Sequence, residues 1–260
     1  MSDSADSDPA ARSSAPLPLD VATPLIVAHR ARSGGERGNT LAAVEAALAR
    51  GIDAIEVDAR ITADGVVVVC HDAEVGGRAV ATSALADLLA VDRSMPTLKD
   101  VAVLTAGRGL LDVEVKEPGY EEQVADAASA WRSPDADVVF TSFHDVVVAR
   151  LKHLCPGTPA GLLLGLDRPR NRLATRASEL RPLQRLRACC ADLVAPHYRL
   201  LRFGFARRLV QAGYPVWVWT VDEPALLARL LADPNVTAVI TDDPVGAIRT
   251  RDATPTAHGV

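Results

Sequence analysis

The chain has 260 residues, a formal charge of −5 and 48% apolar residues, of which few are aromatic. The length suits one (β/α)₈ barrel with a core of small branched side chains, and the acidic balance argues against a nucleic-acid partner. No apolar run approaches the roughly 20 residues of a membrane span, and Cys70, Cys155, Cys189 and Cys190 lack disulfide or zinc spacing, which fits a soluble protein of the reducing cytoplasm.

Residues 1–22 are rich in Ser, Asp, Ala and Pro, with no basic start or apolar stretch. They read as a disordered tail rather than a signal peptide. Residues 23–250 read as a single barrel domain and residues 251–260 as a flexible end. Within the domain, short apolar runs alternate with helical patterns. The runs are Leu25–His29, Asp53–Asp58, Leu110–Lys116, Val138–Phe143, Gly161–Leu164, Asp192–Ala195, Val216–Val221 and Ala238–Thr241. Their short, uninterrupted apolar character is that of parallel strands covered on both faces. Thr40–Arg50 is the clearest helix, capped by Asn39 or Thr40 and stopped by Gly51. The arginine-rich stretch Arg168–Arg187 has helix-like spacing and reads as a solvated face. Eight strands alternating with helices predict a closed barrel, although strand count alone leaves a doubly wound sheet open.

One run breaks the rhythm. Gly65–Cys70 follows Ala54–Ile61 after a turn too short for a parallel crossover, so the two form an antiparallel hairpin. With Ala63-Asp64 as the loop, paired residue numbers add to 127 and His71 lies opposite Glu56. With Asp64-Gly65 they add to 129 and His71 lies opposite Asp58. Either register brings His71 to these carboxylates.

The groups suited to chemistry fall at predicted C-terminal strand ends, where barrel sites are built. They are His29 and Arg30, then Glu56 and Asp58, then Glu114 and Lys116. Glu56 and Asp58 are two apart and point to one side of a strand. With Glu114 they offer three hard oxygen ligands, suited to one Mg²⁺ or Ca²⁺. His29 and His71 flank that point as an acid–base pair. Arg30 and Lys116 offer positive charge to a phosphate, and Trp219 offers an apolar wall. His144 and His197 also lie near strand ends but are given no role, and Cys70 reads as a buried strand residue.

These residues carry a resemblance. Ile26–Asp72 resembles the opening of the glycerophosphodiester phosphodiesterase family, with its H-R-G, P-E-N-T, I-E-x-D-V, T-x-D-G and V-V-x-H-D motifs. Pro96-Thr97-Leu98, Val113–Lys116 for I-E-I-K, Ser142-Phe143, Trp219–Asp222 for W-T-V-N and Thr241–Pro244 for T-D-x-P continue it to about Ile248. The resemblance implies a TIM barrel of the phospholipase C-like phosphodiesterase type with one divalent cation. By position it places the metal ligands on Glu56, Asp58 and Glu114 and the catalytic histidines on His29 and His71. It implies hydrolysis of small-molecule glycerophosphodiesters, such as glycerophosphocholine, to sn-glycerol 3-phosphate and an alcohol.

Three departures stand out. Gly38 replaces the Glu of P-E-N-T, with Glu36 two residues earlier beyond Gly34-Gly35. Ala31 replaces the Gly of H-R-G. The stretch after His71-Asp72 lacks the family's R-T-x-G and reads as a smaller lid. An open site keeps a lysophospholipase D reading in view, and Gly38 a non-catalytic barrel that binds polyol phosphates. Attack by a substrate 2-hydroxyl without ring reopening would give a cyclic phosphate instead.

Overall fold

The computed structural model describes residues 23–129, 138–165 and 182–253. The tail assigned to residues 1–22, the last residues of the C-terminal one and most of the arginine-rich stretch lie outside the described residues.

Eight parallel strands form the frame: β1 (Leu25–Ala28), β2 (Ala54–Ile61), β6 (Leu110–Val115), β7 (Val138–Ser142), β8 (Ala160–Leu164), β9 (Leu193–Pro196), β10 (Trp217–Val218) and β11 (Ala238–Thr241). Their spatial order is β10-β11-β1-β2-β6-β7-β8-β9. Single bridges, Val194 to Val216 and His197 to Trp219, join the two ends and close the barrel. The doubly wound alternative is thereby excluded.

Helices wrap the frame: α1 (Leu41–Ala49), α2 (Leu85–Leu89), α3 (Leu98–Thr105), α4 (Glu121–Ser129), α5 (Asp145–Leu154), α6 (Pro182–Ala188), α7 (Phe205–Gln211), α8 (Pro224–Leu231) and α9 (Pro244–Ala253). The last continues through residues 251–253, which the sequence reading gave to the tail. Thr40 caps α1 by accepting the Ala43 N–H. Thr97 and Asp100 cap α3 reciprocally.

Strand alternation sorts side chains into two cores. One face packs under the helices, with Ile26, Ile55, Val57, Val113 and Phe140 among its members. The other fills the barrel with Val27, Ala54, Leu110, Val139, Leu163, Leu193, Ala195, Trp217, Ala238 and Ile240. Because side chains repeat every second residue, the lumen-facing set on β2 continues from Ala54 to Glu56 and Asp58. On β6 it continues from Leu110 to Asp112 and Glu114. The lumen is therefore apolar at its base and acidic at its mouth on these two strands.

The expected hairpin exists, but neither expected register does. Strand β3 (Val67–Val69) pairs with β2 as Ala59 to Val69, Arg60 to Val68 and Ile61 to Val67, so paired numbers add to 128. The loop has three residues, because Gly65 takes a left-handed φ of +81° that a two-residue count leaves out. Thr62 closes it through its backbone N–H to the Val66 carbonyl, while its hydroxyl accepts the Val66 N–H. The ladder extends to the Cys70 N–H, which donates to the Asp58 carbonyl, and the chain bends there. Beyond it, a two-stranded hairpin of β4 (Glu74–Val75) and β5 (Arg78–Ala79) stands beside the barrel mouth.

Candidate active site

Glu56, Asp58, Asp112 and Glu114 meet as a square of acids. Adjacent strands set Glu56 beside Asp112 and Asp58 beside Glu114. Oxygens of Glu56, Asp58 and Glu114 all lie within 4.8 Å of one another. Two oxygens bound to one Ca²⁺ at about 2.3–2.6 Å lie at most about 5 Å apart, so this trio fits a single hard divalent cation. Oε1 of Glu56 supports that fit, being buried with no hydrogen-bond partner. The chemistry of the donors, oxygen throughout, excludes no ion of the Mg²⁺ or Ca²⁺ kind and identifies neither.

The charges around the square are unequal. Burial, reinforced by Asp58, Glu114 and Asp112, holds the Glu56 carboxyl well above its usual range, and the Arg30 N–H donating at 2.7 Å opposes this. Burial also pushes Asp58 upward, but Lys116, Arg30 and Asn39 outweigh it and keep its carboxyl below the usual value. Nζ of Lys116 lies 3.1 Å from Asp58 and 2.6 Å from Glu114, and Nε of Arg30 lies 3.3 Å from Asp58. Nδ2 of Asn39 donates to Asp58 at 2.7 Å. Asn39 thus holds the carboxylate, while the neighbouring Thr40 is the helix cap.

Each histidine has a carboxylate on Nδ1. His29 lies 2.9 Å from Asp242 and His71 lies 2.9 Å from Asp72. The hydrogen bond to His29 keeps Asp242 below the usual carboxylate range. Burial lowers the pKa of His71, with Asp58 and Asp72 working against it. The guanidinium of Arg60 donates twice to the His71 carbonyl, at 3.0 and 2.7 Å, and pairs with Glu117. His29 and His71 line the same cavity of about 100 Å³, together with Arg30, Glu56, Asp112, Glu114, Lys116, Phe143 and Trp219. Trp219 is anchored by its indole N–H to the Ala195 carbonyl at 2.7 Å and packs edge-on against Phe143. A wider polar pocket of about 310 Å³ adjoins this cavity at Arg30 and His71 and reaches the β4–β5 hairpin.

All eight residues singled out from sequence line this cavity or, for Asp58, ligate the groups that do. Asp112 was missed, although Asp112-x-Glu114 repeats the parity of Glu56-x-Asp58. Burial, together with Glu114 and Asp58 and against the Thr141 hydroxyl, pushes it up to about 8. Asp242 stood in a quoted motif without a role, and Arg60 carried no sequence signal beyond its hairpin position. The departures have structural meaning. A Cβ on Gly38 would meet the Arg30 carbonyl at 3.0 Å and its Cβ at 2.9 Å, so a side chain there would require Arg30 to shift. Glu36 is turned away to Arg50, 2.9 Å distant. Ala31 has a φ of +58°, a left-handed conformation that explains glycine in the family motif.

The pattern of the glycerophosphoryl diester phosphodiesterase family matches residues 29–245, which span the whole array from His29 to Asp242. The chain belongs to this family. Membership makes it a phosphoric diester hydrolase. A glycerophosphodiester phosphodiesterase of Caldanaerobacter subterraneus is 29% identical over 248 residues, covering 85% of this chain and 94% of the relative. The family's barrel recurs in solved structures. An Oleispira antarctica phosphodiesterase in complex with the product sn-glycerol-3-phosphate superimposes with a TM-score of 0.75 at 22% identity, over 89% of this chain and 98% of that one. A Thermotoga maritima glycerophosphodiester phosphodiesterase gives 0.71 at 23%, over 88% and 98%. Among the described residues no helix is long and apolar enough to cross a membrane.

Proposed function

We propose that the protein hydrolyses glycerophosphodiesters to sn-glycerol 3-phosphate and an alcohol, with His29 and His71 as its acid–base pair. Glu56, Asp58 and Glu114 hold one divalent cation, Mg²⁺ or Ca²⁺. The observation that carries this reading is one small cavity lined by two carboxylate-bound imidazoles and by Glu56 and Glu114 of the acidic trio. The product held by the Oleispira antarctica relative supports glycerol 3-phosphate as the retained fragment.

When bound, the cation supplies Lewis acidity, polarising the phosphoryl oxygens and offsetting their developing charge. The chain does the rest. With Nδ1 engaged by Asp242 or Asp72, each histidine has Nε2 left for proton transfer. One takes the proton of the attacking water, or of the substrate 2-hydroxyl, whose cyclic phosphate a water then reopens, and the other gives a proton to the departing alkoxide as the P–O bond breaks. Arg30 and Lys116 set fixed positive charge at the phosphate, and Trp219 and Phe143 form an apolar wall for the glycerol carbons.

The test is turnover of glycerophosphocholine by chelated protein, before and after Mg²⁺ or Ca²⁺ is restored, repeated with Glu56→Ala and His71→Ala. Chelation should abolish turnover and the ion should restore it in the wild type alone. Phosphate binding without turnover of any diester would instead establish a binding barrel. Phosphorus NMR separates an open glycerol 3-phosphate from a cyclic product.

A further inference from the structure

Phe203 is 95% exposed, the most exposed large apolar side chain among the described residues. It sits in the loop from β9 to α7, on the rim where the strands end and the catalytic cavity opens. Phe203 and Gly204 both have left-handed backbones, with φ of +53° and +72°, so the chain itself holds the ring outward. Around it Arg199, Arg202, Arg207 and Arg208 are all exposed. The guanidinium of Arg207 folds toward Gly204, the residue next to Phe203. Arg199 lies over Tyr198, which stacks on His197, which meets Trp219 edge-on at 4.8 Å. This contact chain runs from the basic loop to the wall of the catalytic cavity.

No carboxylate occurs in the sequence between Asp192 and Asp222. Those two are committed elsewhere, Asp192 to Lys152 at 2.9 Å and Asp222 to Thr241 and the Asp242 N–H. Among the described residues none of the four arginines is ion-paired. A chain of net charge −5 therefore carries one local patch of four positive charges around a solvent-facing aromatic ring. An aromatic ring at the water–lipid boundary, ringed by guanidiniums that bind phosphate, matches an anionic bilayer surface.

We propose that this loop docks the protein on an anionic phospholipid surface. Phe203 enters the interfacial layer, the four arginines bind headgroup phosphates, and the catalytic mouth is set against the lipid. The docking is peripheral and separate from the catalytic chemistry.

Co-sedimentation with vesicles of pure phosphatidylcholine, and of phosphatidylcholine mixed with phosphatidylglycerol, tests it. Binding should require phosphatidylglycerol and fall with salt. It should weaken about five-fold for each arginine changed to glutamine, and by a comparable factor in Phe203→Ser. Turnover of water-soluble glycerophosphocholine should be unchanged in every variant; circular dichroism checks the fold should the wild type turn over nothing. No binding to the mixed vesicles would overturn the proposal, as would binding indifferent to Phe203→Ser. Self-association lost in Phe203→Ser, without vesicle binding, would also overturn it by making this face a contact between copies of the chain.

Discussion

His29 and His71 face one cavity, yet the chain supports them in opposite ways. His29 sits on a left-handed turn after β1, and its carboxylate, Asp242, comes from the end of β11, 213 residues away. Asp242 is 37% exposed and also lies 3.3 Å from Arg32. His71 takes its carboxylate from the next residue, and Asp72 is 71% exposed. What fixes His71 is instead the backbone, gripped by Arg60 through the His71 carbonyl. The first imidazole is oriented through its side chain by tertiary structure, the second through its main chain by a local hairpin. Carboxylates in the two settings should not count equally, because water screens the exposed one.

The comparison predicts an order of damage. His29→Ala and His71→Ala should each lower kcat/KM by about 10²–10⁴, and equal losses would mark them as one acid–base unit. Asp242→Asn should cost about 10–100-fold, chiefly in kcat, because it removes the charge that orients His29. Asp72→Asn should cost less than about ten-fold, and a larger loss than in Asp242→Asn would overturn the distinction. The same Asp72→Asn change carries a pH signature. Asp72 raises the proton affinity of a His71 that burial has lowered, so its loss moves the pKa further down. Neutral His71 then persists to lower pH, visible by NMR titration of the ring, and an upward shift would refute the assignment. Smallest is Ala31→Gly in the turn that carries His29. Relief of the left-handed alanine is offset by the entropy glycine adds to the unfolded chain and by loss of a methyl buried in the core, so stability should change by less than about 1 kcal/mol. Thermal unfolding would register that as a shift of less than about 4 °C.

Much of this was readable from residues. The strand runs and the i, i+2 parity of Glu56 and Asp58 place two carboxylates on one side of a strand. Applied to β6, the same parity reaches Asp112, which lies one step deeper in the lumen than Glu114. The hairpin was foreseen and its register was not, since Gly65 can extend a loop at no steric cost and a sequence does not declare its φ. Contacts such as His29 to Asp242 are set by barrel closure, which local patterns do not encode. The same holds for the contacts of Lys116, whose ammonium lies between Asp58 and Glu114 at the cavity wall.

The in-register pairing of β2 with β6 has a mechanical consequence. Glu56 faces Asp112 and Asp58 faces Glu114 across the ladder, so a slip by one residue would swing a whole column of acids out among the helices. The ammonium of Lys116, anchored on β6 and reaching across to β2, works as an internal stitch between the two strands. Alignment of this seam is thus locked electrostatically at the top and by hydrocarbon below, and the barrel need not wait for an ion to find its proper stagger.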